Sequence, residues 1–135
     1  PDKRRKVVIK LLSVIPNNHL LDLKEISESG SDDGLVYERL NERILLNKDL
    51  PVKVTLYIGI GHHVFDNILT EADGRILNTI FEKYRKGISQ LSLAAATSYE
   101  LFFAESYRLY IIDRRLLHKY SPYMYTFLVK RIFHG

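Results

Sequence analysis

The sequence predicts an α+β fold, with a small β-rich domain first and a helical bundle domain second. Three observations predict it. Across residues 50–60, LPVKVTLYIGI, the apolar Val52, Val54, Leu56, Ile58 and Ile60 recur at every second position. That is the period of a strand with one face on a core. Upstream, residues 7–17, VVIKLLSVIPN, are apolar and β-branched up to Pro16, which cannot donate to a ladder. From Thr70 onward the pattern changes: Ile76, Leu77, Ile80, Phe81, Tyr84 and Ile88 keep helical spacing. The expected division is therefore residues 1–64 and 65–135.

Taken in order, residues 7–15 form the first expected strand. Leu21 to Ile26 alternate well enough for a second, with a short helix as the competing reading. Residues 27–34, SESGSDDG, are small, charged and glycine-bounded, which is loop composition. Residues 35–46 are ambiguous: Val36, Leu40 and Ile44 have helical spacing, whereas 43–47 also suits a strand. The main expected strand follows, ended by Gly59, Gly61 and the pair His62-His63. Thr70 then caps a helix whose first turn holds Glu71 and Asp73 and whose last holds Lys83, Arg85 and Lys86. A long helix is expected over residues 92–120. Ser121-Pro122 reads as the cap and first position of a last helix carrying Tyr123, Phe127, Leu128 and Ile132.

At 135 residues the chain suits one ordinary domain or two very small ones. Hydrophobic residues make up 46%, too many for a disordered chain, and no run reaches the roughly 18 apolar residues of a membrane span. Lys10 interrupts the basic-then-apolar start and no small-residue cleavage site follows, so a cytoplasmic protein is expected. Zero cysteines exclude disulfides, thiolate catalysis and cysteine-based zinc sites. A single Gln, a single Met and no Cys lean toward a thermophile. The net charge of +4 is unevenly placed: residues 1–10 hold five basic and one acidic, 11–50 four and eight, 51–135 eleven and seven. That early acidic block argues against a protein that binds nucleic acid over its whole surface.

The motifs that carry chemistry in other proteins are incomplete here. His62-His63 has only Asp66 at ligand spacing, so no metal is expected. Gly59-Ile60-Gly61 lacks the third glycine and the close helix start of a phosphate loop. Asp32-Asp33-Gly34 lacks the further acids of a calcium loop. With no acid–base pair and no activated nucleophile, neither catalysis nor a cofactor is expected.

Two features point to binding. Lys3, Arg4, Arg5 and Lys6 could neutralise phosphates without reading sequence. Arg114, Arg115, Lys119, Lys130 and Arg131 make a second basic group, which the helix dipole alone would account for if they lie late in helices. Ten of the fifteen aromatics lie from Tyr99 onward, more than a narrow three-helix core encloses. Phe102, Phe103, Tyr107 and Tyr110 are therefore expected at a subunit interface. Two parts of about 65 and 70 residues would also be marginal alone, which favours assembly.

Val14-Ile15-Pro16-Asn17 and Leu50-Pro51-Val52-Lys53-Val54-Thr55-Leu56-Tyr57 resemble segments of the GINS replication factors. The likeness is to the subunit class in which a small β-rich domain precedes the helical one. In that class the first segment ends a strand and the second opens one containing an aromatic. Eukaryotic members have Pro-Leu-Trp-Leu-Ala where this chain has Thr55-Leu56-Tyr57-Ile58-Gly59. The motif covers about a quarter of the chain. The resemblance implies a non-catalytic archaeal-type GINS subunit that scaffolds and activates the replicative MCM helicase at the nucleoid. Its implied partners are a sister GINS subunit, MCM and a RecJ-like protein in a hetero-oligomer, with at most a slight DNA contact. It also implies that Tyr57 is buried, whereas the strand alternation puts Tyr57 on the Lys53 face. The alternative reading is a small basic nucleic-acid-binding protein.

Overall fold

A computed structural model describes residues 2–28, 35–88 and 94–134. A small three-stranded sheet lies near the N-terminus and several helices follow, the expected α+β order. The segments that form strand and helix differ from the expectation in two places, and both reflect burial.

Residues 7–12 are helical. Helix α1 runs Asp2–Leu12, and its Lys, Arg and Leu residues are good helix formers. Val8, Leu11 and Leu12 fall at helical spacing and pack against the core. Pro16 disfavours helical backbone at Ile15, which is buried, and a 3₁₀ turn, Asn17–Leu20, follows.

The sheet comes from β1 (Glu25–Glu28), β2 (Tyr37–Glu38) and β3 (Arg43–Leu46), in the order β1-β3-β2. Central β3 pairs parallel with β1 and antiparallel with β2. Arg43 sits between carboxylates of both neighbours, donating to Glu38 at 2.8 Å and Glu25 at 3.3 Å. Such cross-strand charge pairs hold register. Ile44, Leu45 and Leu46 are buried. Of the loop expected over 27–34, residues 29–34 lie outside the described residues.

The expected main strand is instead the central helix. Helix α2 spans Val52–Asn67 and opens directly after Pro51. Its buried residues include Thr55, Leu56, Tyr57, Gly59, Ile60, Gly61, His62, His63 and Val64, which lie on every side of the helix. A helix enclosed all round shows no 3.6-residue stripe, so its β-branched residues produced a false period of two. Tyr57 is buried, as the resemblance implied, and its hydroxyl donates to the Leu11 carbonyl at 2.8 Å. Its burial follows from the enclosed helix.

Gly59 and Gly61 do not end a strand; they admit neighbours. A Cβ on Gly59 would stand 2.6 Å from Ile44 Cγ2, and one on Gly61 would stand 2.9 Å from Ala104 Cα. The sheet and helix α4 (Tyr99–Ile112) therefore approach the α2 backbone itself.

Helix α3, Glu71–Ile88, follows the expected pattern. Thr70 Oγ1 accepts from Asp73 N–H at 3.0 Å and Asp73 Oδ2 accepts from Thr70 N–H at 3.1 Å, a reciprocal cap. Ser92, where the long helix was to begin, lies outside the described residues. Ser98 caps α4, and Asp113 breaks the expected span into α4 and α5 (Arg114–Tyr120). The Asp113 side chain accepts from Leu116 N–H at 3.2 Å, so it starts a new helix where the sequence pattern continued one. Ser121 caps α6 (Pro122–Phe127) as expected, and a π-helical turn, Leu128–Ile132, completes it.

One apolar cluster runs from Ile15, Tyr37, Ile44 and Leu46 through α2 to Leu128 and Ile132. The division expected between residues 64 and 65 falls inside α2. Among the described residues no helix is long and apolar enough to cross a membrane.

The two glycine environments predict opposite outcomes. Gly61→Ala pushes a methyl against backbone and is expected to cost about 1–3 kcal/mol, as overpacking does. Gly74→Ala, in α3 with nothing within 4 Å of its Cβ position, is expected to gain about 0.4–1 kcal/mol. Urea unfolding midpoints should move down for the first and up for the second.

Candidate functional site

The titratable side chains near α2 form one network, assembled from segments far apart in sequence. His62 and His63 are adjacent on a helix, about 100° apart around its axis, and their rings go to different partners. His62 Nδ1–H donates to Glu100 Oε2 at 2.7 Å. Arg39 bridges the same carboxylate and Asp66, each at 2.5 Å. The Tyr37 ring stacks parallel to His62, with centroids 6.3 Å apart.

His63 belongs to a buried relay. Its Nε2 lies 2.6 Å from the Leu21 carbonyl, which can only accept, so Nε2 carries the proton. Nδ1 then accepts from the Tyr37 hydroxyl at 2.7 Å. Burial, reinforced by the Asp66 and Glu42 carboxylates, pushes the Tyr37 hydroxyl up to about 12, so it remains a donor. His19 repeats the arrangement. Its Nε2–H donates to the Ile132 carbonyl at 2.8 Å, and Nδ1 accepts from Tyr107 at 2.8 Å. Desolvation raises the Tyr107 hydroxyl well above its ordinary value. These relays satisfy buried polar groups and pin β2 and the turn after α1 to the helices.

None of the cavities described in the structure is lined by Tyr37, His62, His63 or Glu100. Among the described residues no three His, Asp or Glu side chains come together as a metal site. The network ties sheet to bundle.

The four aromatics expected at an interface lie in the chain's own core. Phe102, Phe103 and Tyr107 are 0% exposed and Tyr110 is 4% exposed. The expectation took the helical core as narrow, but α2 joins α3 to α6, so the core is wider and α4 is surrounded. Phe103→Ala should therefore behave as a core truncation and cost about 3–5 kcal/mol in urea unfolding of the isolated chain. A residue at a subunit contact would leave that midpoint unmoved.

Lys3, Arg4, Arg5 and Lys6 lie on α1; Lys3 and Lys6 share a face, and Arg4 and Arg5 point away from it, because successive helical positions turn by about 100°. Arg4 pairs with Glu28 at 2.7 Å. Arg4 and Arg5 line a depression of about 580 Å³ with Val8, Ile26, Ser27, Glu28 and Leu46. Of the second basic group, Lys119, Lys130 and Arg131 lie in last turns, as expected. Arg114 and Arg115 instead open α5, and the dipole of that helix does not account for Arg115. Arg131 pairs with Asp73 at 2.9 Å. Burial raises the Asp73 carboxyl, but hydrogen bonds from Thr70 and Arg131 together outweigh it and hold the group below its ordinary value.

The Arg39–Glu100 pair spans 61 positions and left no local signal in the sequence. Compared with models of known families, with curated proteins and with solved structures, the chain matches none of them.

His19 gives the fold a pH dependence whose sign is set by burial. Desolvation disfavours its imidazolium and exceeds the opposing effect of the Ile132 bond, with His134 adding to it, so its pKa lies below the ordinary 6.5. The unfolded chain protonates first as pH falls, so stability declines below about 6.5 and levels off once the folded imidazole also protonates. The urea midpoint should fall between pH 7 and 5, and by less in His19→Gln. Equal slopes in the two proteins would remove His19 from the explanation.

Proposed function

We propose that this chain acts by binding, as a non-catalytic subunit of a larger assembly of the GINS kind. The single observation that carries the assembly reading is the state of α1. One stripe of that helix, Val8, Leu11 and Leu12, packs on the core. Val7 and Ile9, which flank the stripe, are 43% and 60% exposed, and Val14 beyond the helix is 62% exposed. Apolar surface on both sides of a docked stripe is suited to a second protein laid along the helix.

The resemblance at Val14 to Asn17 and Leu50 to Tyr57 supplies the kind of assembly. It rests on residues alone, since the Leu50 segment opens a helix here and the Val14 segment follows one, where the family pattern has strands. On this reading the partners are a sister GINS subunit, the MCM helicase and a RecJ-like protein, held together at the nucleoid. The subunit raises the effective concentration of components that it binds at once.

The test is affinity purification of the tagged chain from native extract, with wild type and Ile9→Glu/Val14→Glu in parallel. Wild type is expected to bring down a sister subunit or MCM. The double variant should melt like wild type, because both side chains face solvent, yet lose those partners. A monodisperse monomer that recovers neither protein would contradict the reading.

A further inference from the structure

The corner where α4 meets α5 and α6 carries a basic and aromatic surface of which the assembly reading uses only Val14. After Glu105 the only acid is Asp113, and residues 114–135 contain none, while Arg114, Arg115, Lys119, Lys130 and Arg131 all fall there. The Asp113 carboxylate accepts from Leu116 N–H as the cap of α5. Arg114, Arg115 and Lys119 have no acidic partner among the described residues.

Two local costs make this placement informative. Arg115 occupies the first turn of α5, where a helix dipole disfavours cations, whereas Arg114 reaches back to a carbonyl in the last turn of α4. Arg115 and Lys119 repel at i,i+4 on one exposed face, with His118 between them. Neither cost is offset by an ion pair within the described residues.

Beneath these charges lies a chain of rings. His118 meets Tyr125 edge-on at 5.1 Å, Tyr125 lies 6.0 Å from Tyr110, and Tyr110 stacks on Phe133 at 4.2 Å. The Arg114 guanidinium covers the Tyr110 ring at 4.4 Å while its Nε–H donates to the Tyr110 carbonyl at 3.0 Å. Arg114 is thereby held on the ridge between two depressions. One, of about 360 Å³, is lined by Arg114, Arg115, His118 and Tyr125. The other, of about 350 Å³, is lined by Val14, Tyr110, Ile111, Arg114 and Phe133. Tyr125 and Phe133 are half-buried; the Phe133 ring also packs against Tyr107 and His19, at 5.1 and 4.9 Å.

We infer that this corner is a binding site for single-stranded nucleic acid. Arg114, Arg115 and Lys119 would meet the phosphates, and Tyr125 would offer its ring to a base. Unpaired cations beside the half-buried Tyr125 ring fit a strand whose bases are free. A duplex would present phosphate to the cations but keep its bases stacked inside, leaving that ring unused. The site does not depend on the proposed assembly, because all of its residues belong to this chain.

Fluorescence anisotropy of a labelled mixed-sequence single strand, titrated with the full chain over a range of salt, tests it. Wild type is expected to bind the single strand more tightly than the matching duplex. Arg115→Gln/Lys119→Gln should reduce the log–log salt slope by about 1.4, since each phosphate contact contributes about 0.7 for single strands. Tyr125→Leu should lower affinity about fivefold or more while leaving the salt slope unchanged. Lys3→Gln/Lys6→Gln should have little effect. Thermal melts of each variant separate lost binding from lost folding, and the two exposed cations can be removed without touching the core. No binding at low salt, an unchanged slope in the double glutamine variant, or duplex binding as tight as single-strand binding would each overturn the assignment. So would binding lost through Lys3 and Lys6 instead.

Discussion

The fold depends on how closely two neighbours approach the backbone of α2. Gly61 lets the backbone of α4 come to a distance that any Cβ would forbid, and Gly59 does the same for Ile44 of the sheet. These two contacts lie on one helix, two residues apart, and they join the sheet to the bundle. The close packing allows Leu56, Ile60 and Val64 to be fully enclosed between them. It also brings His62 and His63 within reach of Glu100, Tyr37 and the Leu21 carbonyl. The polar relays are a consequence of the packing, and their directional bonds then fix one arrangement of it.

The same geometry explains where the aromatics went. A bundle built from α3 to α6 alone would have left Phe103 and Tyr107 on its surface. With α2 as the central member, Phe103 faces Phe65 and Tyr107, and Tyr107 also meets Phe133. The interior absorbs the four aromatics that a narrow three-helix core would leave over. Two of the surfaces that stay exposed are a flank of α1 and the acid-free surface around α5. The two functional proposals rest on those two surfaces.

Helix α3 was legible in the sequence because it is half-exposed: its stripe, its Thr70 and Asp73 cap and its terminal charges all survive in the pattern. The Ser121-Pro122 start of α6 was legible for the same local reason. Helix α2 was not, because burial on every face removes the polar positions that reveal a helical period. Its β-branched residues then matched a strand over nine positions. The signal that could have found it is length: thirteen residues from Val52 to Val64 without a turn or charge beyond Lys53 exceed an ordinary strand. Two glycines inside such a run mark a close approach. Asp113 was missed because an aspartate between apolar residues fits either a helix interior or a new cap. The Arg39–Glu100 and His19–Tyr107 contacts join residues 61 and 88 positions apart, a separation that no spacing rule reaches.

Native-state hydrogen exchange of the α2 amides tests most directly whether α2 is the enclosed centre of the fold. The amides of Leu56 to Val64 are expected to exchange only through global unfolding, with the denaturant dependence of the whole chain and greater protection than those of α1. Exchange of these amides through local opening, at rates like those of α1, would contradict a fold organised around that helix.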